Sequence, residues 1–494
     1  MKILLVSPDS PATFWSFKNA LKFISKKAIL PPLGLLTVAA MLPKGWEKKL
    51  VDMTTTKLRD RDIRWADYVF ISAMLIQSKS AREVIDRCKN LGVKTVAGGP
   101  LFTSQPERYL DVDHLVLNEA EVTLPLFLAD LEKDCAGRMY RTRERADMSR
   151  TPMPLWELAR AKKYALMPLQ YSRGCPFDCE FCDVTTLFGH QIRTKTREQI
   201  LAELEGIYSM GWRSQIFVVD DNFIGNKAKL KVEILPAIIK WMEEHKYPFS
   251  FNTQASINLA DDDELMALMT KAGFECVFIG IETPSEEGLV ECNKVQNRGR
   301  DMVACIKKIQ AAGIQVQGGF IVGFDSDKPP VFESIIRFIQ QSGVVTAMVG
   351  LLNAPRGTKL YKRLMKENRL IADSSGDNTD LSMNFVPKMK REELLKGYEK
   401  IVRTIYSPKQ YYERVLTFLR SYKPASYTRV RFTFSDIKAF VRSIWRLGII
   451  GRGRLHYWKL ILWSMRSPRY FHLAVTLAIY GFHFRKTFAG CGGA

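Results

Sequence analysis

The chain lacks a long hydrophobic run, a signal peptide and an abundance of cysteine. Its longest apolar stretch, Leu473 to Phe482, is about half of the ~18–20 residues that a membrane-spanning helix needs. Nine cysteines in 494 residues are too few for a fold held together by disulfides. Met1 leads directly into a short strand-like run, without the charged and apolar regions of a signal peptide. These absences predict a cytoplasmic protein without a membrane span.

Histidine and acidic residues are also scarce. None of the six histidines lies in the first 113 residues. Asp and Glu number 52 against 73 Lys and Arg, which gives a formal net charge of +21. The excess is concentrated in residues 407–494, where 16 Lys and Arg face 2 acidic residues. The overall composition, with 46% hydrophobic and 25% charged residues, is that of an ordinary globular protein.

Short apolar strands alternate with helical segments over the first part of the chain. Strands are predicted at 2–7, 49–53, 66–75, 94–97 and 114–117, and helices at 31–43, 80–91 and 120–132. This alternation predicts an α/β domain with a doubly wound parallel sheet. Ligands of such sheets bind at the carboxyl ends of the strands, which makes Ser72, Gly98 and Gly99 candidate binding residues. The alternative is a domain that serves only as a scaffold.

Three cysteines lie within eight residues, directly after a predicted strand at 166–174. Their spacing is Cys175-x3-Cys179-x2-Cys182. Three thiolates on one loop can bind three irons of a [4Fe–4S] cube and leave the fourth iron open for a substrate or cofactor. The alternative is a zinc site with His190 as the fourth ligand, although no second cysteine pair is nearby.

With Phe181 before its last cysteine, this motif resembles the signature of the radical S-adenosylmethionine (SAM) enzymes. Further strands are predicted at 214–219, 249–254, 276–281, 315–323 and 347–352, with helices between them. Six βα units fit the partial (β/α)6 barrel of that superfamily. In parallel barrels the chemistry lies at the carboxyl ends of the strands.

The resemblance implies a role for the cysteines and for the strand tips that follow. The cysteines would hold the cluster, and SAM would bind the open iron. The residues that would contact SAM are Phe181, Asp220, Asp221, Gln254, Ser256, Glu282, Gly319 and Gly323. Asp220 and Asp221 stand where family members contact the SAM ammonium, often with Gly-Gly-Glu. The alternative for each polar tip is a helix cap or turn residue.

A Rossmann-like domain directly before such a barrel resembles the cobalamin-binding subclass. The matching tracts are Pro31–Leu35, Ala97–Pro100 and Ser172–Gly174. The Asp-x-His-x-x-Gly motif of many cobalamin proteins is absent, so no histidine of that motif is expected on the cobalt. The resemblance implies a 5′-deoxyadenosyl radical that removes hydrogen from an unactivated carbon, and methylcobalamin as the methyl donor.

The C-terminal region resembles the extra domain of the branch that includes hopanoid C-2 methylases. Val219–Phe223 and Gly280–Pro284 are close to that branch. Residues 407–494 combine their positive charge with 18 of the 54 aromatic residues, which favours a membrane surface. Nucleic-acid binding uses the same residue types but is disfavoured here by the continuous apolar pieces, and a helical subdomain with a solvated basic face is the third interpretation.

The sequence therefore predicts five segments and one leading function. The segments are a cobalamin-binding domain at 1–135, a linker at 136–160, a radical SAM barrel at 161–353, a cap at 354–406 and a mainly helical basic tail at 407–494. The leading function is a C-methyltransferase that uses a [4Fe–4S] cluster, SAM and cobalamin on an apolar substrate such as a lipid. Flavodoxin or ferredoxin would donate electrons, and the tail would place the protein on the inner face of the membrane. The alternatives are a related oxidative cyclase and an iron–sulfur or cobalamin sensor.

Overall fold

The computed structural model describes residues 1–377, 379–424 and 433–489, and its first domain is a parallel sheet between helices. The strands are β1 Lys2–Ser7, β2 Glu47–Asp52, β3 Tyr68–Ser72, β4 Lys94–Gly98, β5 His114–Val116 and β6 Met139–Tyr140. Their order in the sheet is β2-β1-β3-β4-β5-β6. The α-helices are Lys18–Leu21, Leu33–Met41, Asp60–Arg64, Ser78–Asn90, Pro100–Ser104 and Ala120–Glu132. The doubly wound α/β domain expected from the sequence is confirmed.

The continuous apolar run in β1 follows from its position inside this sheet. Ile3, Leu4, Leu5 and Val6 are all 0% exposed. Leu4 and Val6 belong to the core on one face of the sheet, and Ile3 and Leu5 belong to the core on the other face. Helices cover both faces, as parallel strands require.

The second domain contains a six-stranded parallel sheet and a two-stranded ribbon. The strands are β7 Met167–Leu169, β8 Ser172–Arg173, β9 Arg193–Thr194, β10 Gln215–Val218, β11 Ser250–Gln254, β12 Phe274–Glu282, β13 Gln315–Val322 and β14 Ala347–Leu351. The sheet order is β14-β13-β12-β11-β10-β7. The longer helices between them are Arg197–Ser209, Leu235–Glu244, Asp263–Ala272, Met302–Ala311 and Pro330–Ser342. This is the six-unit partial barrel that the sequence predicts.

The prediction of a single strand at 166–174 is wrong, because the two halves of this segment pair with different strands. β7 ends at Leu169 and pairs with β10, whereas β8 pairs antiparallel with β9. The backbone N–H groups of Tyr171 and Ser172 donate to the carboxylate of Asp220, at 2.8 and 2.7 Å. These bonds replace sheet bonds and turn the chain out of the barrel before the cysteine motif begins.

The C-terminal part consists of helices, some of which are continuous with the core of the barrel. They are Lys359–Lys366, Arg391–Ile405, Pro408–Ser421, Phe434–Ser443, Arg454–Ser464 and Pro468–Ala489. Tyr411 and Leu477 are 0% exposed within that shared core. Arg414 is buried and donates to the carbonyl oxygens of Ile405 and Val345, at 2.8 and 3.2 Å. The chain after residue 406 is therefore not a detachable tail.

No helix in the described ranges is both long and apolar enough to cross a bilayer. Residues 425–432 and 490–494 of the predicted tail lie outside the described residues.

Candidate active site

The cysteine loop begins where β8 reaches Gly174. Gly174 has a φ of +99°, and a Cβ there would lie 2.5 Å from the carbonyl oxygen of Gln191. Only glycine therefore permits the turn. Beyond it, Cys175, Cys179 and Cys182 are partly exposed and carry free thiols. The loop presents three sulfur ligands beyond the carboxyl end of β7, as the sequence predicts.

The segment after the short helix Glu286–Glu291 holds this loop in place. The backbone N–H of Glu180 donates to the carbonyl oxygen of Cys292 at 3.0 Å. The side chain of Asn293 donates to the carbonyl oxygen of Asp178 at 2.9 Å. The loop is thus fixed from the β12 side of the barrel as well as from β8.

Lys294, the next residue, supplies a buried positive charge beside the thiols. Its Nζ lies 2.6 Å from Oε1 of Glu282, and both side chains are nearly buried. Burial raises the pKa of Cys182 to about 12, and Lys294 acts in the opposite direction. Because thiolates rather than thiols bind metal, this lysine favours the ligand form of the cysteines. A lone lysine carries no sequence signal, so sequence reasoning missed it.

This donor set fits a [4Fe–4S] cluster. Three thiols share one loop, and a buried cation lies beside them. No three His, Cys, Asp or Glu side chains of the described chain converge in the manner of a single-ion site. A cube binds each thiolate through a different iron, so its ligands need not converge on one ion. His190, the fourth ligand of the zinc alternative, lies 3.8 Å from a carboxylate oxygen of Asp178 instead.

Asp220 and Asp221 have different surroundings. Asp220 is 0% exposed, accepts the two backbone bonds described above and a third from the Ser172 hydroxyl at 2.5 Å. Burial raises its pKa to about 7. Asp221 is partly exposed, and burial together with Asp183 raises its pKa to about 6. Asp220 therefore shapes the entry to the cysteine loop, and Asp221 is the residue of the pair that faces the loop.

A cavity of about 440 Å³ adjoins the cysteine loop at the tips of β10 and β11. The residues that line it include Pro176, Phe177, Asn222, Ser256 and Asn258. The backbone N–H of Ser256 donates to Oδ1 of Asn222 at 3.3 Å, and its hydroxyl donates to Oδ1 of Asn258 at 2.6 Å. Ser256 was expected here, together with Gln254 at the end of β11. Asn258 was not, because a polar residue in a loop has no distinguishing pattern.

Glu282 is held in an unusual backbone conformation at the tip of β12. Its φ is +64°, and the pairing of β12 with β13 shifts between Gly280 and Glu282. The amide of Asn297 donates to the carbonyl oxygens of Gly280 and Ile281, both at 3.1 Å. A non-glycine residue in the left-handed region is costly and is common at functional sites. The conformation directs the carboxylate toward Lys294.

Of the two expected glycines, Gly319 lies in β13 against an aromatic ring, and Gly323 directly follows the strand. A Cβ at Gly319 would lie 2.8 Å from Cζ of Phe278. Gly323 has a φ of +107°, and its N–H donates to Asp327 at 2.8 Å. The next residue, Phe324, has its ring 6.4 Å from that of Phe181 in the cysteine loop. The structure thus brings Phe181 and the Gly323 turn together.

In the middle of β12, the residues that face into the barrel are partly exposed, whereas those that face outward are buried. On β12, Val277 and Ile279 are 0% exposed, and Phe278 and Gly280 between them are partly exposed. A Cβ at Gly280 would lie 2.8 Å from Nζ of Lys294, so this inner face is the one next to the cysteine loop. Because side chains alternate along a strand, the inward side of β12 stays partly accessible to solvent next to the loop, and we call the space that it borders the chamber.

The candidate cobalamin residues lie at the carboxyl edge of the first sheet, as predicted. Gly99 has a φ of +90°, and a Cβ there would lie 2.7 Å from the hydroxyl of Ser72. A Cβ at Gly98 would lie 2.6 Å from the carbonyl oxygen of Val116. At the end of β5, Oδ1 of Asn118 is buried without a hydrogen-bond partner. Small residues and a polar atom without a partner fit a bulky cofactor with polar groups.

Four buried charged residues connect this edge to the cysteine loop, and we call Glu119, Glu121, Arg173 and Arg193 the domain junction. Glu119 accepts from Arg173 at 3.0 Å and from Arg193 at 2.7 Å, and Glu121 accepts from Arg173 at 2.7 Å. No side chain of the four is more than 12% exposed. Arg173 precedes the cysteine loop by one residue, and the glutamates follow β5 closely. The junction therefore fixes the carboxyl edges of the two sheets against each other.

The charges of the junction stabilise one another. Burial alone would lower the pKa of Arg173, but Glu121 and Glu119 raise it. Burial alone would also raise the pKa of Glu121, but Arg173 lowers it. Arg173 and Glu121 are therefore both ionised near neutral pH. The sequence contained Glu-x-Glu after a strand and Arg before the cysteine motif, but only their contact gives them meaning.

Three known families match the chain in consecutive regions. Residues 23–128 match the B12 binding domain, residues 169–339 match the radical SAM superfamily, and residues 358–492 match a domain of unknown function, DUF4070. The last match spans both the cap and the tail that the sequence analysis separated.

Two curated proteins are similar over most of their length. An uncharacterized methyltransferase, sll1242, of Synechocystis sp. is 40% identical over 98% of this chain and 91% of its own. The hopanoid C-2 methylase of Rhodopseudomonas palustris is 32% identical over 93% of this chain and 89% of its own. Among solved structures, the radical SAM methyltransferase TsrM from Kitasatospora setae, with cobalamin and a [4Fe–4S] cluster bound, has a TM-score of 0.61. That comparison covers 100% of both chains at 13% identity and concerns the fold alone.

Proposed function

Since the chain belongs to the cobalamin-dependent radical SAM methyltransferases, we propose that it methylates an unactivated carbon of an apolar lipid held in the barrel chamber. When bound, the cluster and SAM supply the radical that removes a hydrogen atom, and cobalamin supplies the methyl group. The residues of this chain position these groups and keep water out. The partly exposed inward face beside the cysteine loop is the observation that carries the proposal.

The inner wall of the chamber is formed by neutral side chains. By the register of the strands, the same inward face carries Phe217, Asn252, Gln254, Phe278, Gln317 and Met348. The ring of Trp15, from the first domain, meets that of Phe278 edge-on at 5.1 Å between centroids. Aromatic and aliphatic groups with a few amides suit an uncharged, largely apolar molecule. Next to the cysteine loop, the charge of Lys294 is already paired with Glu282.

Each site residue then has a defined task. Cys175, Cys179 and Cys182 hold the cluster, and the Lys294–Glu282 pair keeps its side of the loop charged and fixed. Asp221, Gln254, Ser256, Gly319 and Gly323 are the proposed contacts with SAM, and Ser72, Gly98 and Gly99 are those with cobalamin. The domain junction sets the distance between the two cofactors. The group that removes hydrogen and the group that supplies the methyl must both reach the same carbon of the substrate. The distance between the cofactors therefore decides whether the substrate radical is methylated.

Two partners belong to the proposal. Electrons would come from flavodoxin or ferredoxin, small carriers that a chain with a net charge of +21 attracts when they are acidic. The positive charge of residues 407–494 would bring the protein to the inner face of a membrane, where a lipid substrate resides.

The test is anaerobic reconstitution with methyl-labelled SAM and extracted lipids, followed by mass spectrometry. Hopanoids are the first lipids to include, because one relative is named as a hopanoid methylase. We expect label in a lipid product together with 5′-deoxyadenosine, and neither with the variant Cys179→Ala. Formation of 5′-deoxyadenosine without label in any lipid would contradict methyl transfer and favour a cyclase-like reaction.

A further inference from the structure

The first helix after residue 432 exposes a row of large apolar side chains. Phe434, Ile437, Val441 and Trp445 are between 55% and 75% exposed. Spacings of three and four residues place Phe434, Ile437 and Val441 on one side of the α-helix, and Trp445 lies four residues further on, in the π-helical segment Ile444–Ile449 that extends it. The apolar side of a helix normally faces the core of a protein. Here it faces the solvent instead.

The next helix repeats the arrangement. Leu455, Trp458, Leu462 and Met465 are between 37% and 80% exposed, again at spacings of three and four residues. Ile449, at the end of the π-helical segment, and Ile450, which follows it, are exposed as well. We call residues 434–466 the hairpin and its exposed apolar side the outer face.

The inner face of the hairpin is well packed, so the outer face is not needed for folding. The hydroxyls of Ser443 and Tyr457 lie 2.8 Å apart, and Tyr457 and Leu460 are both 0% exposed. Arg442 donates to the carbonyl oxygens of Lys22 and Phe23, at 2.8 and 2.9 Å. The hairpin is thus fixed to the body of the protein while its outer face is left for another surface.

Positive charge surrounds the outer face. The hairpin has seven Lys and Arg residues and one acidic residue, Asp436. Asp436 caps its own helix and accepts from the backbone N–H of Thr433 at 2.7 Å. The exposed cations are Lys438, Arg446, Arg452, Arg454, Lys459 and Arg466. Apolar groups ringed by cations match the chemistry of an anionic bilayer, with acyl chains beneath phosphate headgroups.

We infer that the outer face of the hairpin docks onto an anionic lipid bilayer. Trp445 and Trp458 lie at headgroup depth, the aliphatic side chains reach the acyl boundary, and the exposed cations contact lipid phosphates. A second copy of this chain is a poor occupant of the outer face, because such a dimer would bring two cationic surfaces together. The inference rests on the proposed lipid substrate, because docking gives the enzyme access to a molecule dissolved in the membrane.

The experiment is co-sedimentation of the full-length protein with vesicles. One set contains equal parts of phosphatidylglycerol and phosphatidylcholine, and the other contains phosphatidylcholine alone. We expect strong binding to the anionic set, and a fall with salt that leaves a residual part from the apolar contacts. The double variant Arg454→Gln, Lys459→Gln should bind about 25-fold more weakly, at roughly fivefold per cation. The triple variant Trp445→Ser, Leu455→Ser, Leu462→Ser should lose the salt-resistant part.

The matched control is the pair Met365→Ser and Lys366→Gln, an exposed apolar residue and an exposed cation on a helix outside the hairpin. It should bind vesicles as the wild type does. Wild-type affinity for vesicles in the triple variant would overturn the inference. So would a wild-type protein that does not bind vesicles but forms a dimer, if the triple substitution breaks that dimer. Tight binding of single-stranded RNA without binding of anionic vesicles would also overturn it.

Methylation of a detergent-dissolved lipid separates this inference from the proposed function. Vesicle binding without any methylation would leave docking intact and refute the substrate class. Methylation in detergent by a protein that ignores vesicles would refute docking alone.

Discussion

The domain junction and the hairpin place charged and apolar side chains in opposite environments. In the junction, charged side chains are no more than 12% exposed. In the hairpin, large apolar side chains are up to 80% exposed. Most proteins bury the apolar group and expose the charged one. This chain does the opposite in both regions. The junction lies between its two domains, and the outer face of the hairpin is the proposed contact with a membrane.

The difference between the regions shows what each reversal requires. Buried charges must be paired and hydrogen-bonded, and in return they define one relative position of the two domains. Exposed apolar groups need only a well-packed inner face behind them, and they leave a surface that another body can cover. The junction thus fixes a geometry within the chain, and the hairpin offers a contact outside it.

The largest effect is expected in the loop that the junction holds. Replacing Cys175, Cys179 or Cys182 with alanine removes one iron ligand and should abolish both the [4Fe–4S] absorption and SAM cleavage. Cys135→Ala is the control, because Cys135 is exposed and remote from the loop in sequence. A full cluster and full activity in any variant of the three would contradict the site.

The next effect is on stability, when the junction loses a charge. Glu119→Gln leaves the buried Arg193 without its carboxylate and Arg173 with Glu121 alone, and should cost about 3–5 kcal/mol. Glu198→Gln removes a carboxylate that is 67% exposed and pairs with Arg197, and should leave the stability almost unchanged. Thermal unfolding of both variants measures the contrast. Equal melting temperatures would show that the junction does not hold the domains.

A milder change in the junction should separate the two half-reactions. Arg173→Lys keeps the charge but cannot bind both glutamates through a planar fork. We expect cluster content and SAM cleavage to persist, and the ratio of 5′-deoxyadenosine to methylated product to rise about tenfold or more, because small displacements are costly in catalysis. An unchanged ratio would show that the junction does not set the distance between cofactors.

A change of pH should alter the stability that a buried carboxylate contributes in opposite directions, depending on whether the carboxylate forms an ion pair. Glu121 has its pKa lowered despite burial, since Arg173 outweighs it. Its contribution to stability is therefore present above the ordinary value of 4.5 and is lost as the pH falls through the lowered pKa. Burial raises the pKa of Asp327 to about 6, so its contribution is present below the ordinary value of 3.8 and is lost as the pH rises to about 6.

The measurement is the unfolding free energy of Glu121→Gln and Asp327→Asn against the wild type, as a function of pH. The advantage of the wild type over Glu121→Gln should grow from acid to neutral pH. Its advantage over Asp327→Asn should shrink over the same range, by about 3 kcal/mol at most. Parallel slopes for the two variants would contradict the contrast between paired and unpaired carboxylates.

The smallest effect on stability is expected on the outer face of the hairpin. Trp445→Ala should change the unfolding free energy by less than about 0.5 kcal/mol, because the side chain is 60% exposed. Tyr457→Ala, on the inner face, should cost several times more, because Tyr457 is 0% exposed. Similar losses in the two variants would show that the outer face is part of the core.

Several features were predicted correctly because their signals are local in sequence. The alternation of strands and helices, the spacing of Cys175, Cys179 and Cys182 and the lack of early histidines can each be read from short segments. The fold class was predicted from these patterns and the cofactor set from the family resemblance that they carry, and the structure and the related proteins confirm both. The contacts of individual residues with SAM and cobalamin stay predictions.

Only the tertiary structure decided which distant residues meet. Arg173 and Glu119 are 54 positions apart in the sequence. Asp220 accepts hydrogen bonds from backbone N–H groups 48 and 49 positions away, just after the end of β7. Lys294 gains its role from the thiols beside it, and the basic region after residue 406 is divided into buried helices and one exposed hairpin. Periodicity and spacing act over a few residues, whereas ion pairing and burial depend on distances in space that the packing of the whole chain sets.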